Sequence, residues 1–187
     1  GALPIMHALF LIPILLIVAF ILAIWILPWS FVAVLAGYYV LTLTYSLWLK
    51  RVVMLDVIML SMLYTTRVIA GAEAMTLDIT FWVLTFSTFV FLSLAMVKRY
   101  TELIDARRNS IKKKVSGRGY YPTDSDLLSV LGGASGFISV LVLALYINES
   151  TDRILYQTPE LMWLALPLLL YWLSRTWLLA YRGDMHD

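Results

Sequence analysis

Three charged residues at the end of a long apolar block carry the most chemical potential in this sequence. Lys98, Glu102 and Asp105 recur at helical spacing. Together with Ser87 they fall within about 60° of one another if a helix runs through them. A cation and two carboxylates on one face suit a phosphate or diphosphate. Carboxylates hold Mg²⁺ against phosphate oxygens, and lysine or arginine grips the oxygens that remain. An exposed i,i+4 Lys/Glu pair alone is often a surface feature worth roughly 0.2–0.5 kcal/mol. What raises this cluster is its place at the mouth of a membrane-length segment, where a lipid phosphate would sit.

Asp56 and Arg67 are charges inside another apolar block. Eleven residues separate them, which returns them to nearly the same helical face, so both are expected to look inward. Asp56 lies about 6 Å beyond the start of its segment, near Lys50 and Arg51, and Arg67 lies about 22 Å in, so the two cannot pair. Charge at such depth makes a functional site the first hypothesis, with snorkelling and structural pairing as the alternative. Arg175, about 9 Å from the end of the last apolar block, is within snorkelling reach and is read as structural.

The elements that must position these residues are membrane helices. The chain has 187 residues, 61% hydrophobic and 14% charged, far from the balance of soluble domains. Its apolar residues gather into blocks of about 20, the length a helix needs to cross a hydrocarbon core. Six helices are expected, at about 5–27, 31–49, 52–71, 79–97, 127–147 and 161–181, with one substantial loop at 98–126. Pro13 and Pro167 fall inside the first and last of these. Gly132 and Gly136 form a small-xxx-small pair that lets another backbone approach. Eleven of the fourteen basic residues fall after the second, fourth and sixth helices. By the positive-inside rule those loops and both chain ends are then cytoplasmic.

Several chemistries lack the material they need. There is no cysteine, which excludes disulfides, thiolate zinc sites and a cysteine nucleophile within this chain. His7 and His186 stand at opposite ends, too little for a histidine metal site or a Ser/His/Asp triad. The first apolar stretch has neither the basic flank nor the cleavage site of a signal peptide. The basic run from Lys98 to Arg118 is expected to set topology or meet anionic membrane lipids. With no RNA-binding module beside it, nucleic acid is not an expected partner. The sequence sets no oligomeric state.

Read in order, the landmarks resemble a known family. Tyr45-Ser-Leu-Trp-Leu-Lys50-Arg51, then Leu-Asp56-Val and Arg67-Val-Ile-Ala-Gly71, then Lys98-Arg99-Tyr-Thr-Glu102-Leu resemble the UbiA superfamily of intramembrane prenyltransferases over essentially the whole length. The pattern is most similar to a bacterial subgroup of polyprenyl-phosphate phosphoribosyltransferases and UbiA domains fused to a haloacid-dehalogenase-like domain. There the second motif reads Lys-Arg-x-x-Glu-Leu in place of a run of aspartates.

The resemblance implies an all-α integral membrane fold of nine helices around a cavity open to lipid, in the bacterial inner membrane. Residues 1–187 would form a partial UbiA-like transmembrane domain, the third through eighth helices. It implies Mg²⁺ as cofactor, with Glu102 and Asp105 as this chain's ligands. Tyr45, Lys50, Asp56 and Lys98 would be catalytic, with Tyr45 facing an allylic cation, and Arg99 and Arg118 would bind substrate. The substrate would be a polyprenyl (di)phosphate lipid, with diphosphate leaving. Phosphoribosyl transfer to a polyprenyl phosphate is the alternative, and a transporter or structural membrane subunit is the alternative of another class. By the same comparison the first aspartate-rich motif precedes Gly1 and the ninth helix follows, so these 187 residues alone are expected to lack transferase activity.

Overall fold

The computed structural model describes residues 5–108, 119–151 and 159–185, and among them every regular element is helical. The α-helices are α1 (Ile5–Ile26), α2 (Trp29–Leu47), α3 (Leu55–Ala74), α4 (Phe81–Arg108), α5 (Ser125–Thr151) and α6 (Ala165–Arg182), with short 3-10 turns at Leu49–Arg51, Pro122–Asp124 and Pro159–Leu164. Five stretches are long and apolar enough to cross a membrane: Trp29–Leu47, Leu55–Ala74, Phe81–Arg108, Pro122–Glu149 and Leu161–Arg182. In α1 the apolar stretch Leu11–Ile26 is shorter than these five.

Most boundaries differ from the sequence expectation by a few residues, and three of the differences have a clear local reason. The expected loop at 98–126 is helical as far as Arg108, because the end of the apolar pattern at Val97 does not end the helix. The residues that follow include Lys, Arg, Glu, Leu and Ala, all good helix formers. At 28 residues, α4 is about 42 Å long and outruns a hydrocarbon core of about 30 Å. The third helix starts at Leu55, not at 52, since Leu49–Arg51 forms a 3-10 turn and Met54 has φ 66°, a conformation unfavourable to a side chain. Tyr120 holds that turn by accepting the Met54 N–H at 2.8 Å. In the sixth helix the α-helical part starts at Ala165. Pro167 therefore sits in the first turn, where its missing N–H costs no intrahelical bond.

The core forms around α4, which packs between α3 and α5 and touches α6. Val57, Ala95, Met96, Leu103, Tyr120 and Leu128 make one buried cluster, and Val97, Tyr100 and Ala180 another, with Trp177 packed against both. Small residues make the approach possible. A Cβ on Gly132 would overlap the Trp177 ring and stand 2.9 Å from Met96 Cβ. Ser93 donates to the Gly132 carbonyl at 2.7 Å and accepts from Trp177 Nε1 at 3.1 Å, tying α4, α5 and α6 at one point. Ser61 likewise joins α3 to α4 by donating to the Thr88 carbonyl at 2.7 Å. Such close small and hydroxyl-bearing contacts are the usual means of joining helices in apolar surroundings. By contrast, α1 lies against α2, where Phe20 meets Tyr39 edge-on at 6.4 Å between ring centroids.

Candidate functional site

The extension of α4 beyond the apolar pattern carries the site. Its face at Lys98, Thr101, Glu102 and Asp105 lines a cleft of ≈ 560 Å³ closed by Thr176 of α6 and by Asp184 and Met185 beyond it. Helical periodicity brings the three charged residues together as the sequence predicts. Ser87, placed on the same face by that periodicity, is buried higher along α4 and does not line the cleft. The end of α6 is held by Arg108, whose Nη2 donates to the Arg182 carbonyl at 2.6 Å. Gly183 completes the cap in the left-handed region, φ 71°. Arg108 was not among the residues singled out from sequence, and nothing in its spacing reveals a carbonyl on another helix.

Behind the cleft stands an ion-pair network joining three helices. Arg99 is 1% exposed and Asp56 0%, with Arg99 Nε 2.7 Å from Asp56 Oδ2. That contact is in ion-pair range without the alignment of a hydrogen bond. Arg99 Nη2 donates to Asp56 Oδ1 at 3.3 Å, and Nη1 donates to Glu102. Tyr45 of α2 donates its hydroxyl to Asp56 Oδ1 at 2.8 Å. Tyr45, Asp56, Arg99 and Glu102 are thus one connected set. Glu102, 29% exposed, belongs both to the network and to the cleft.

These placements sort the sequence candidates. Arg99, expected to bind substrate, is directed into Asp56 and Glu102, a position suited to holding carboxylates in place. Asp56, expected to be catalytic, is enclosed by Arg99 and Tyr45. Lys98, Glu102 and Asp105 reach the cleft. Lys50 is half-buried on the 3-10 turn after α2 and does not line it. Arg118 lies outside the described residues. Arg67 and Asp56 share a face of α3, yet they do not both look inward: α4 covers that face at Asp56, and Arg67 is exposed beside Tyr38 and Tyr64. Arg175 donates to Tyr171 at 3.0 Å, one turn away on its own helix.

Two features outside the cleft were not legible from spacing. Gly119 packs where a Cβ would be 2.7 Å from the Arg51 carbonyl oxygen and 2.9 Å from a Val53 methyl. With the Tyr120 hydroxyl on Met54, it pins the chain entering α5 onto the α2–α3 turn. A separate apolar groove of ≈ 340 Å³ opens on another flank of α6, lined by Ser129, Gly133, Gly136, Phe137, Leu173, Ser174, Trp177 and Tyr181.

For Mg²⁺ the donors are of the right kind, hard carboxylate oxygens. Among the described residues no three His, Asp or Glu side chains group closely enough to hold a metal unaided. Glu102 and Asp105 suit an ion that takes part of its shell from substrate phosphates, which is the usual habit of Mg²⁺.

The chain has relatives among known proteins. It is 37% identical over 163 residues to the uncharacterized protein y4nM of Sinorhizobium fredii, covering 87% of this chain and 31% of that protein. It is 33% identical over 158 residues to the nodulation protein NoeC of Azorhizobium caulinodans, covering 83% of this chain and 50% of that protein. The chain therefore spans about a third and a half of the two relatives' lengths. No family model matches it, and no solved structure matches it significantly.

Proposed function

We propose that this chain is part of a UbiA-type intramembrane transferase of the bacterial inner membrane, acting on a polyprenyl (di)phosphate with diphosphate as leaving group. The observation that carries the reading is the cleft at the end of α4, where Lys98, Glu102 and Asp105 converge and Glu102 is held from behind by buried Arg99. Five helices long and apolar enough to cross a bilayer support integration, with α1 as the sixth span. The distribution of lysine and arginine favours a cytoplasmic cleft and cytoplasmic chain ends.

In this mechanism Lys98 grips phosphate oxygens as a point charge. Glu102 and Asp105 present carboxylates to Mg²⁺, which when bound would offset charge on the departing diphosphate. Arg99 orients Glu102, and Asp56 with Tyr45 fixes Arg99. A carboxylate positioned in advance needs little rearrangement as charge develops, which is where electrostatic catalysis gains most. The apolar groove beside α6 offers a surface for a prenyl chain.

Transfer of phosphoribosyl to a polyprenyl phosphate is the second reading, favoured by the Lys98-Arg99-x-x-Glu102-Leu segment. The same cleft serves both, since diphosphate leaves in each. Transport is less well supported, because the clustered polar residues lie at one end of the helices and not along a path through them. The name of one relative adds a role in nodulation to the proposal.

The test uses membranes containing the complete protein, given either labelled phosphoribosyl diphosphate with a polyprenyl phosphate, or a labelled allylic diphosphate with an aromatic acceptor. Mg²⁺-dependent transfer of either label to product supports the reading and decides between its two forms. No transfer in either assay, with the protein folded and present, would overturn it.

A further inference from the structure

Arg67 is placed where an apolar helix least tolerates charge, and its surroundings do not neutralise it. Its Nε and Nη2 both donate to the Tyr38 hydroxyl, at 3.0 and 2.6 Å. Its guanidinium carbon lies 5.4 Å from the Tyr38 ring centroid and 5.0 Å from that of Tyr64. All these partners are neutral. The ion pairs among the described residues join Arg99 to Asp56 and Glu102, and Arg107 to Asp126, and none involves Arg67.

Depth decides what could complete the site. Tyr38 stands midway along Trp29–Leu47, about 14 Å from either end. Arg67 stands about 10 Å from the end of α3 at Ala74, but its guanidinium is folded back over Tyr64, about 15 Å from that end. Helical side chains lean towards the N-terminus, and here that direction is inward. Half of a hydrocarbon core of about 30 Å is the same distance. Arg67 therefore does not snorkel to the headgroups. It is held near the middle of the bilayer, on the reading of α2 and α3 as membrane spans proposed above.

We propose that Arg67 and Tyr38 form a receptor for a membrane-embedded carboxylate carried by a further helix. A guanidinium has five N–H groups, and the Tyr38 hydroxyl accepts from two of its nitrogens. That leaves the other edge, Nη1 with the second hydrogen of Nη2, to hold one carboxylate in the paired geometry in which arginine binds such groups most strongly. A lipid phosphate fits the charge and not the depth. The α1 helix offers no acid, since Ile5–Ile26 contains no Asp or Glu. Arg67 is exposed, so the face is open to a helix packing against α2 and α3. These residues match 31% and 50% of the two relatives, so proteins of this kind have more chain to supply one. The site then fixes how that helix seats against the α2–α3 pair.

The experiment uses the complete protein in its own membrane. Arg67→Glu is expected to lower folded yield on detergent size-exclusion by roughly fivefold, a change typical of modest destabilisation in cells. Each Asp or Glu within an apolar helix outside residues 1–187 is then changed to Arg, one at a time, in the Arg67→Glu background. One pairing should restore more than half of the wild-type yield. Undiminished yield in Arg67→Glu, or a loss that no reversal repairs, would overturn the proposal. Release of the wild-type protein by alkaline carbonate would instead refute the membrane-span reading. The transfer assays above use the wild-type protein and do not depend on the outcomes for the Arg67→Glu variants.

Discussion

Replacing Asp56 by Leu, or Arg99 by Met, should each destabilise the protein strongly, whereas replacing both together should not. The pair is 0% and 1% exposed, so either single change leaves a charge without water or its main counter-ion. Breaking such a pair costs about 3–5 kcal/mol. The lower end is expected here. Without Asp56, Arg99 keeps Glu102; without Arg99, Asp56 keeps the Tyr45 hydroxyl at 2.8 Å. About 3 kcal/mol corresponds to a Tm lower by about 6–12 °C in a chain of this size. Tryptophan fluorescence during heating in detergent reads this directly. Apolar replacement of a whole buried pair is often neutral or stabilising, so the double variant should melt near the wild type. Its transfer activity should still fall, because Glu102 loses the arginine that orients it. Single variants melting within about 2 °C of wild type would refute the buried-pair reasoning. A double variant with full activity would refute the orienting role of Arg99.

Two further outcomes can be checked with single substitutions. Gly132→Ala should destabilise by about 1–3 kcal/mol through overpacking against Trp177 and Met96. Gly133→Ala, with nothing within 4 Å of the added carbon, should match or slightly exceed wild type, as read by thermal unfolding. Cysteines introduced singly at Ser116 and Ser150 of this cysteine-free chain should label from opposite sides of the membrane. Labelling from the same side would contradict the orientation drawn from lysine and arginine.

The helices were legible in the sequence because an apolar block of membrane length leaves few alternatives. The common face of Lys98, Glu102 and Asp105 was legible too, since it depends only on the period of one helix. What failed was reading the end of an apolar pattern as the end of a helix. Hydrophobicity at Val97 reports the surroundings of α4, and backbone hydrogen bonding continues to Arg108 regardless. Contacts between helices were not legible. Asp56 and Arg99 are 43 residues apart, and spacing within either helix cannot name the other. The same holds for Tyr120 on Met54 and for Arg108 on the end of α6. Arg67 shows the converse case: periodicity set it on the face of Asp56, but the inward view expected of it failed because that face is uncovered there, and its partners came from α2 and from its own preceding turn.

The measurement that bears most directly on the proposed chemistry is label transfer by the complete protein carrying Glu102→Gln. The amide keeps the size of the side chain and an acceptor for Arg99, and it removes the charge needed for Mg²⁺ and diphosphate. Loss of several kcal/mol of charge stabilisation corresponds to a fall of about 10²-fold or more. Folded yield should stay close to wild type, because Arg99 retains Asp56. Such a fall at unchanged yield is the expected result, and near-normal transfer by Glu102→Gln would contradict the assignment of the cleft as the reacting site.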